Sequence, residues 1–214
     1  MRLSIVVGLT LLFAWSYAEN KFESEIRAFE QQDQQSRPAA GGIVFTGSSS
    51  IRLWKSLAAD FPGKPVLNRG FGGSELTDVL HFADRIITPY RPRQVVLYCG
   101  GNDIANGGQT AQQTHERFVR LFQYVRAKLP TTRFTFISIA PNPARRQFQP
   151  VVDETNRRIR RFLARRRNTQ FVDVGPAMRG TNGQPRGALF TADSLHMNAE
   201  GYRVWTAVLR PYLK

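Results

Sequence analysis

The stretch Val95-Val96-Leu97-Tyr98-Cys99-Gly100-Gly101-Asn102-Asp103 decides the fold class. Its first five residues carry no charge and are followed by two glycines, which predicts a buried strand that runs into a turn. A strand without polar alternation has to be covered on both faces, as in a parallel sheet between helices. The polar pair Asn102 and Asp103 then falls beyond the carboxyl end of the strand, where open α/β sheets bind ligands.

Outward from this stretch, short apolar segments alternate with segments of helical periodicity. The other predicted strands are Ile43–Phe45 running to Gly47, Val66–Leu67, Phe134–Ile139 and Phe171–Val174. The predicted helices are Glu23–Gln35, Leu76–Ile87 with Ser74 as its N-cap, Thr110–Leu129, Val152–Leu163 and Ala199–Tyr212. This alternation predicts an α/β fold, a three-layer α/β/α sandwich with a flavodoxin-like parallel sheet of about five strands.

The N-terminus predicts a secretory signal peptide over residues 1–18. Arg2 is followed by the largely apolar run Leu3–Trp15 and by a small residue at Ala18. The run is shorter than the roughly 20 apolar residues that cross a bilayer, which argues against a membrane anchor. We therefore expect cleavage near Ala18, a secreted or periplasmic location, no transmembrane segment in the mature chain, and a single domain over residues 19–214.

The chain is strongly basic, with a formal net charge of +14. This charge makes binding of an anionic partner one of the predicted functions. A surface of this charge attracts polyanions such as anionic lipid headgroups or acidic polysaccharide. The alternative, rated equally, is that the basic residues only keep the outer face of a helix solvated. Nucleic acid is not expected, because an exported chain rarely meets it and Phe162 falls on the predicted core face. Nine arginines lie in the Arg145–Arg167 region: Arg145, Arg146, Arg157, Arg158, Arg160, Arg161, Arg165, Arg166 and Arg167.

The chain contains a single cysteine, Cys99. This excludes an intrachain disulfide and a cysteine-based metal cluster, and it is compatible with a bacterial envelope protein. Only three histidines are present, of which His81 and His115 lie inside helical patterns. His196 differs, because it lies before the last predicted helix in Asp193-Ser194-Leu195-His196. A carboxylate three residues before an imidazole can hold that imidazole as the base for a serine nucleophile.

Four segments together resemble the SGNH (GDSL-like) hydrolase family. They are Phe45–Leu53 with Gly47-Ser48-Ser49, Asn68–Ser74 with Gly70-Phe71-Gly72-Gly73, Gly100–Asp103 and Asp193–His196. Their order and spacing match the family blocks with the serine, the glycine, the asparagine and the D-x-x-H pair. One departure is Ser48, which stands where the family usually has Asp. Three consecutive serines result, and Ser48 and Ser50 stay open as alternatives although the alignment favours Ser49.

The resemblance implies a role for each matching residue. Ser49 would be the nucleophile, His196 its base, and Asp193 the carboxylate that orients the base. The oxyanion hole would consist of the backbone N–H groups of Ser49 and Gly73 and the side-chain amide of Asn102. No metal and no cofactor are implied. Residues near these blocks that could line the substrate site are Ser48, Trp54, Phe71, Asn142 and Phe190, with core packing as the alternative role of the three aromatic residues.

The implied activity is hydrolysis of a small-molecule, glycan or lipid ester through a serine acyl-enzyme. The likeness lies near the platelet-activating-factor acetylhydrolase-like branch and carbohydrate acetyl esterases, which favours a short acyl group. Lysophospholipase or thioesterase activity on longer chains, acyl transfer, and a non-catalytic polyanion-binding envelope protein stay as alternatives. An α/β-hydrolase is excluded because Gly47-Ser48-Ser49-Ser50-Ile51 lacks the second glycine of its nucleophile turn. A metallophosphoesterase would need a histidine and carboxylate cluster that the sequence lacks. A non-catalytic flavodoxin-like fold, whose glycines serve turns and whose Asp193 caps the last helix, stays as an alternative.

Overall fold

The computed structural model describes residues 20–214, so the predicted signal peptide of residues 1–18 lies outside the described range. One sheet of five parallel strands forms the centre of the fold. The strands are β1 (Ile43–Gly47), β2 (Val66–Gly70), β3 (Gln94–Tyr98), β4 (Arg133–Ile137) and β5 (Thr169–Val172). Their order in the sheet is β2-β1-β3-β4-β5. The predicted parallel sheet is confirmed.

Helices lie on both faces of the sheet. They are α1 (Glu23–Gln35), α2 (Ser49–Arg52), α3 (Leu57–Asp60), α4 (Leu76–His81), α5 (Ala83–Ile86), α6 (Gly101–Ala105), α7 (Ala111–Lys128), α8 (Gln149–Ala164), α9 (Gly175–Met178) and α10 (Ala199–Leu209). Short 3-10 turns cover Thr88–Tyr90, Pro143–Phe148, Gly187–Leu189 and Arg210–Tyr212.

Two hydrophobic clusters account for the three layers. Val95 and Leu97 of β3 belong to a cluster with α1, α4, α5, α7 and α8. Val96, between them, belongs to a second cluster with α2, α3, α9 and α10. Consecutive side chains of a strand point to opposite faces, so an uninterrupted apolar strand supplies both cores. This is the α/β/α sandwich that the apolar run predicted.

The helix predicted over Leu76–Ile87 is interrupted. Phe82 leaves the helical conformation between α4 and α5, with φ −95° and ψ 5°. Its side chain is buried, and its ring meets that of Phe71 edge to face at 5.9 Å between centroids. Ser74 as N-cap was also wrong: α4 begins after Glu75, whose backbone N–H donates to Asp78 at 2.8 Å. Burial of one aromatic ring against the core therefore overrides the helical periodicity here.

The strand order reverses at β1 and β3, which is where ligands bind in sheets of this kind. The carboxyl ends of the two strands lie side by side, with Gly47 opposite Tyr98. Gly47 has φ +123°, and a Cβ added there would lie 1.9 Å from the carbonyl oxygen of Tyr98. Only glycine fits this close approach. The turn after β1 can therefore run directly against the end of β3.

Cys99, at the end of β3, is expected to be inert in the folded protein. Its side chain is buried, and burial raises the pKa of the thiol well above its usual range. The thiolate is the reactive form of a cysteine. Because the raised pKa leaves little thiolate and burial blocks the approach of a reagent, reaction at Cys99 is disfavoured. We expect an aromatic disulfide reagent to modify less than one tenth of the protein within an hour, and all of it in 6 M guanidinium chloride. Rapid modification of the folded protein would contradict the buried position of β3.

Candidate active site

Ser49 is presented by a tight turn from β1 into α2. The backbone N–H of Ser48 donates to the carbonyl oxygen of Tyr98 at 3.0 Å, and the Ser48 carbonyl accepts the N–H of Ile51 at 2.9 Å. Backbone bonds therefore hold this turn although Ser48 replaces the usual aspartate. Ser49 is the first residue of the helix, where a backbone N–H has no acceptor within the helix. Its N–H is thus available to a bound oxyanion.

Asp193 and His196 form a preassembled pair on the loop before α10. One carboxylate oxygen of Asp193, Oδ1, accepts the backbone N–H groups of Leu195 and His196, both at 2.9 Å. The other oxygen, Oδ2, lies 2.5 Å from Nδ1 of the His196 ring. Ser194 closes the turn with φ +59°. The bonds to the two backbone N–H groups and to the His196 ring hold the pKa of Asp193 well below its usual range, so the carboxylate is ionised.

The imidazole of His196 reaches the serine on the opposite loop. Its Nε2 lies 2.9 Å from the Oγ of Ser49. An ionised Asp193 can only accept hydrogen bonds, so the ring proton lies on Nδ1 and Nε2 accepts from the Ser49 hydroxyl. Ser48 and Ser50 make no such contact within residues 20–214. The geometry therefore brings together Asp193, His196 and Ser49 in the arrangement of a serine hydrolase triad.

Asn102 enters the same site from the end of β3. The turn passes through Gly100, with φ +116°, into α6, and leaves Asn102 only 6% exposed. The side-chain Nδ2 donates to the carbonyl oxygen of Ser74 at 3.0 Å, and Oδ1 accepts from a guanidinium nitrogen of Arg145 at 3.0 Å. These two partners fix which end of the amide carries the N–H groups. Within residues 20–214, the second N–H group of the Asn102 amide donates to no acceptor.

Gly73 lies beside this site rather than on its wall. It precedes Ser74, the partner of Asn102, and has φ +76°. It is not among the residues that surround the cavity at Ser49. Within residues 20–214 its backbone N–H makes no hydrogen bond. Gly73 is thus near the predicted oxyanion donors, joined to Asn102 through its neighbour.

A buried ionic group supports the turn that carries Asn102. Asp103 is fully buried, accepts the backbone N–H of Leu76 at 3.1 Å and contacts Arg117 at 3.0 Å. Burial raises the pKa of Asp103, and the bonds from Arg117 and Leu76 oppose that rise. Arg117 also contacts Glu75. The start of α4, α6 and α7 are thereby joined directly behind Asn102.

A small cavity opens at Ser49. Its volume is about 40 Å³, and one water molecule needs about 10–15 Å³ of such space. Ser48 and Asn142 lie on its wall, as the sequence predicted. Residues of the wall that were not assigned to the site from the sequence are Tyr98, Gly101, Ala105, Ile139, Ala140, Arg145, Phe148, Gln149, Val152 and Leu195. From the sequence, Arg145 was assigned only to the basic region. Its position shortly after Asn142, on a strand-end loop, is the signal that could have placed it at the site.

The structure corrects the three aromatic candidates for the wall. Trp54, Phe71 and Phe190 are 1%, 0% and 7% exposed and belong to the hydrophobic clusters. Trp54 is additionally fixed by its Nε1–H, which donates to Asp60 at 2.6 Å. Proximity to a motif along the chain did not place these rings at the cavity, because each one packs into the core under its loop. His81 and His115 lie on α4 and α7, outside the site.

Within residues 20–214, no three or more His, Cys, Asp or Glu side chains are grouped so as to hold a metal ion. In the same range, no helix has both the length and the apolar character needed to cross a membrane.

Comparisons with known proteins give the family and the fold of this chain. The family described as GDSL-like Lipase/Acylhydrolase matches residues 39–204. A search of curated protein sequences finds no match to the chain. Among solved structures, one from Streptococcus pneumoniae, described as a platelet activating factor, is similar to this chain. It superposes with a TM-score of 0.78 at 21% identity, covering 91% of this chain and 94% of that one.

Two further structures share the fold. A GDSL-like lipase from Bacteroides thetaiotaomicron has a TM-score of 0.73 at 18% identity and covers 88% of this chain and 97% of its own. An acetyl-xylooligosaccharide esterase from Geobacillus has a TM-score of 0.62 at 14% identity, with 81% of this chain and 94% of that chain covered. At these identities the structures show a common architecture.

Proposed function

Because this chain belongs to the GDSL-like lipase/acylhydrolase family and is a hydrolase, we propose that it cleaves carboxylic esters through an acyl-enzyme on Ser49. The single observation that carries the proposal is the continuous set of contacts from Asp193 through His196 to Ser49, at 2.5 Å and 2.9 Å. A serine hydroxyl becomes a nucleophile when a neighbouring base takes its proton as it attacks. The carboxylate holds that base in the required tautomer.

The reaction takes two half-steps. Nε2 of His196 accepts the Ser49 proton while Oγ bonds to the ester carbonyl carbon, and the imidazolium then protonates the departing alcohol. Water next attacks the acyl-enzyme, with His196 again as base, and the carboxylic acid leaves. In each half-step the carbonyl oxygen becomes an oxyanion. The free N–H of Asn102 and the backbone N–H groups of Ser49 and Gly73 are the donors proposed for it.

The cavity volume supports a short acyl group. With room for about three water molecules, it suits an acetyl-sized substituent better than a long chain. The fold shared with an acetyl-xylooligosaccharide esterase points the same way, and a carbohydrate or lipid acetyl ester is the proposed substrate. Longer acyl chains, as in a lysophospholipid or a thioester, would need a larger cavity than this one.

Export and contact with an anionic surface are separate proposals. The residue pattern of positions 1–18 supports export, with cleavage near Ala18. Arg161, Arg165 and Arg167 are exposed and make no ion pair within residues 20–214, so they can contact a polyanion. They lie at the far end of α8 from the residues that line the cavity.

The test of the proposed function is an acyl-chain series on the mature protein. We expect kcat/KM for p-nitrophenyl esters to be highest with acetate or butyrate and at least about tenfold lower from octanoate onward, because one missing or clashing methylene is worth about 10-fold or more. Mass spectrometry of the quenched reaction should place the acyl group on the peptide containing Ser49. A maximum at palmitate would favour the long-chain alternative. No turnover of any ester would favour the non-catalytic polyanion-binding protein.

A further inference from the structure

Arg145 differs from most of the arginines that are partly or fully withdrawn from solvent. Five of these face carboxylates: Arg69 contacts Asp33, Arg85 contacts Glu23 and Glu30, Arg117 contacts Glu75 and Asp103, Arg158 contacts Glu154, and Arg179 lies 3.8 Å from Asp153. Arg133, at the start of β4, has no carboxylate partner within residues 20–214, but it does not line the cavity at Ser49. Arg126 meets four backbone carbonyl oxygens instead. The Arg145 side chain donates only to the amide oxygens of Asn102, at 3.0 Å, and Asn106, at 3.4 Å. Within residues 20–214 no carboxylate pairs with it.

This unbalanced charge lies on the wall of the cavity at Ser49. None of the residues around the cavity is an aspartate or a glutamate, and Arg145 is its one lysine or arginine among the described residues. Burial lowers the pKa of the guanidinium, which expresses the cost of keeping a cation there without an anion. A buried, unpaired guanidinium next to the proposed nucleophile is a candidate for a role in the reaction if it contacts another group of the site.

The geometry assigns Asn102 as that partner. The amide oxygen of Asn102 faces Arg145 and its nitrogen faces the Ser74 carbonyl, so the amide has one orientation in which both ends are satisfied. Without a donor at Oδ1, only the bond from Nδ2 to the Ser74 carbonyl would hold the amide, which could then turn and withdraw its free N–H group from an oxyanion. The backbone holds Arg145 in position, because its N–H donates to Oδ1 of Asn142 at 3.0 Å.

We propose that Arg145 is a positioning residue for ester hydrolysis, which holds the Asn102 amide as an oxyanion donor and whose uncompensated charge is balanced by the oxyanion itself. The proposal rests on the proposed function of the site. In the resting protein the cation is bonded to neutral amides, and the negative charge arrives only as the tetrahedral intermediate forms. A hydrogen bond to a cation at Oδ1 also polarises the amide, which makes its N–H a stronger donor. The interaction is therefore stronger in the transition state than in the substrate complex.

A double-mutant cycle tests this assignment. Asn102→Ala should lower kcat on the preferred p-nitrophenyl ester by about 10²–10³-fold, the usual cost of one oxyanion donor. Arg145→Met keeps an unbranched apolar stem, loses charge and donors, and should lower kcat by at least about 10-fold with KM within about threefold. If Arg145 acts through Asn102, adding Arg145→Met to Asn102→Ala should cost less than about threefold more.

Companion variants and a transition-state analogue separate positioning from a structural role. Arg145→Lys, which keeps the charge and a hydrogen-bonding ammonium group, should recover part of the lost kcat. Methylboronic acid, which forms a tetrahedral anion on a serine, should bind Arg145→Met more weakly by about the factor lost in kcat. The control is Arg37→Met, an exposed position remote from the cavity with the same change of charge, and its kcat should stay within about twofold. Circular dichroism reports whether each variant is folded.

Distinct outcomes overturn the inference. Additive losses in the double mutant would show that Arg145 does not act through Asn102. A rise in KM at constant kcat would make Arg145 a contact to the bound substrate instead, and unchanged kinetics would leave it without a role in the reaction. If Arg145→Met does not fold, the same cycle run with Arg145→Lys decides. A wild-type protein that cleaves no ester, or that reacts equally well without Ser49, would instead refute the proposed function.

Discussion

Replacing Ser49 with alanine is expected to lower kcat for ester hydrolysis by about 10⁴–10⁶-fold while leaving the fold intact. In the proposed mechanism the hydroxyl oxygen of Ser49 bonds to the substrate, and this Oγ lies 2.9 Å from Nε2 of His196. Removing it leaves the oxyanion donors, which alone still give some acceleration over water. His196→Ala should cost about as much, because the members of a triad act as a unit.

Initial rates on the preferred p-nitrophenyl ester and incorporation of a fluorophosphonate label both measure this loss. Ser36→Ala is a suitable control, since Ser36 is an exposed serine at the end of α1. Retained activity in Ser49→Ala would move the nucleophile to Ser48 or Ser50 in the same turn. Labelling of the Ser49→Ala variant at either neighbour would identify which one.

The second large effect is expected on stability, from Gly47→Ala. At φ +123° the new methyl group would lie 1.9 Å from the carbonyl oxygen of Tyr98, an atom of the central strand β3 that cannot rotate away. Relief of the clash requires separating the ends of β1 and β3 or breaking the Ser48 bond to the same carbonyl. We expect the free energy of unfolding to fall by more than about 4 kcal/mol, in the range reserved for severe backbone and core defects.

Comparison with Gly63→Ala distinguishes the cost of a left-handed backbone from the cost of a steric clash. Gly63 also has a positive φ, +75°, but nothing lies within 4 Å of a Cβ placed there. Its alanine variant should lose only the cost of a left-handed backbone, about 1–2 kcal/mol. Urea unfolding followed by far-UV circular dichroism measures both changes. Equal losses in the two variants would mean that the contact with Tyr98 is relieved at little cost.

The sheet could be predicted because each strand carries its own signal. The run Val95–Cys99 has no polar residue to place on a solvated face, and both faces of β3 are indeed covered. The strand ends were displaced by up to three residues, by one for β3 at Gln94–Tyr98 and by three for β2, which runs on to Gly70. The Asp193–His196 pair was equally accessible, since its geometry depends on a spacing of three residues within one loop.

The rest depended on contacts between distant residues. Phe82 interrupts a helical pattern because its ring fits against Phe71, and no local signal announces that fit. Trp54 follows the serine turn by only a few residues, yet its side chain packs into the core rather than facing the cavity. Arg145 was one of nine arginines in a basic region, and only the fold shows that it contacts Asn102, 43 positions earlier in the chain. Composition identified the charge but not which arginine meets the reacting groups.

The two contacts of His196 differ greatly in their reach along the chain, and this sets an order of assembly. Its bond to Asp193 spans three residues, whereas its bond to Ser49 spans 147. A growing polypeptide therefore finishes β1 and the serine turn long before the imidazole exists. Tyr202, further on in α10, then bonds the carbonyl oxygen of Ser50 at 2.9 Å and docks that helix beside the turn. The triad can therefore assemble only after the Asp193–His196 loop and α10 have been synthesised, so until then the nascent protein carries the serine turn without its base.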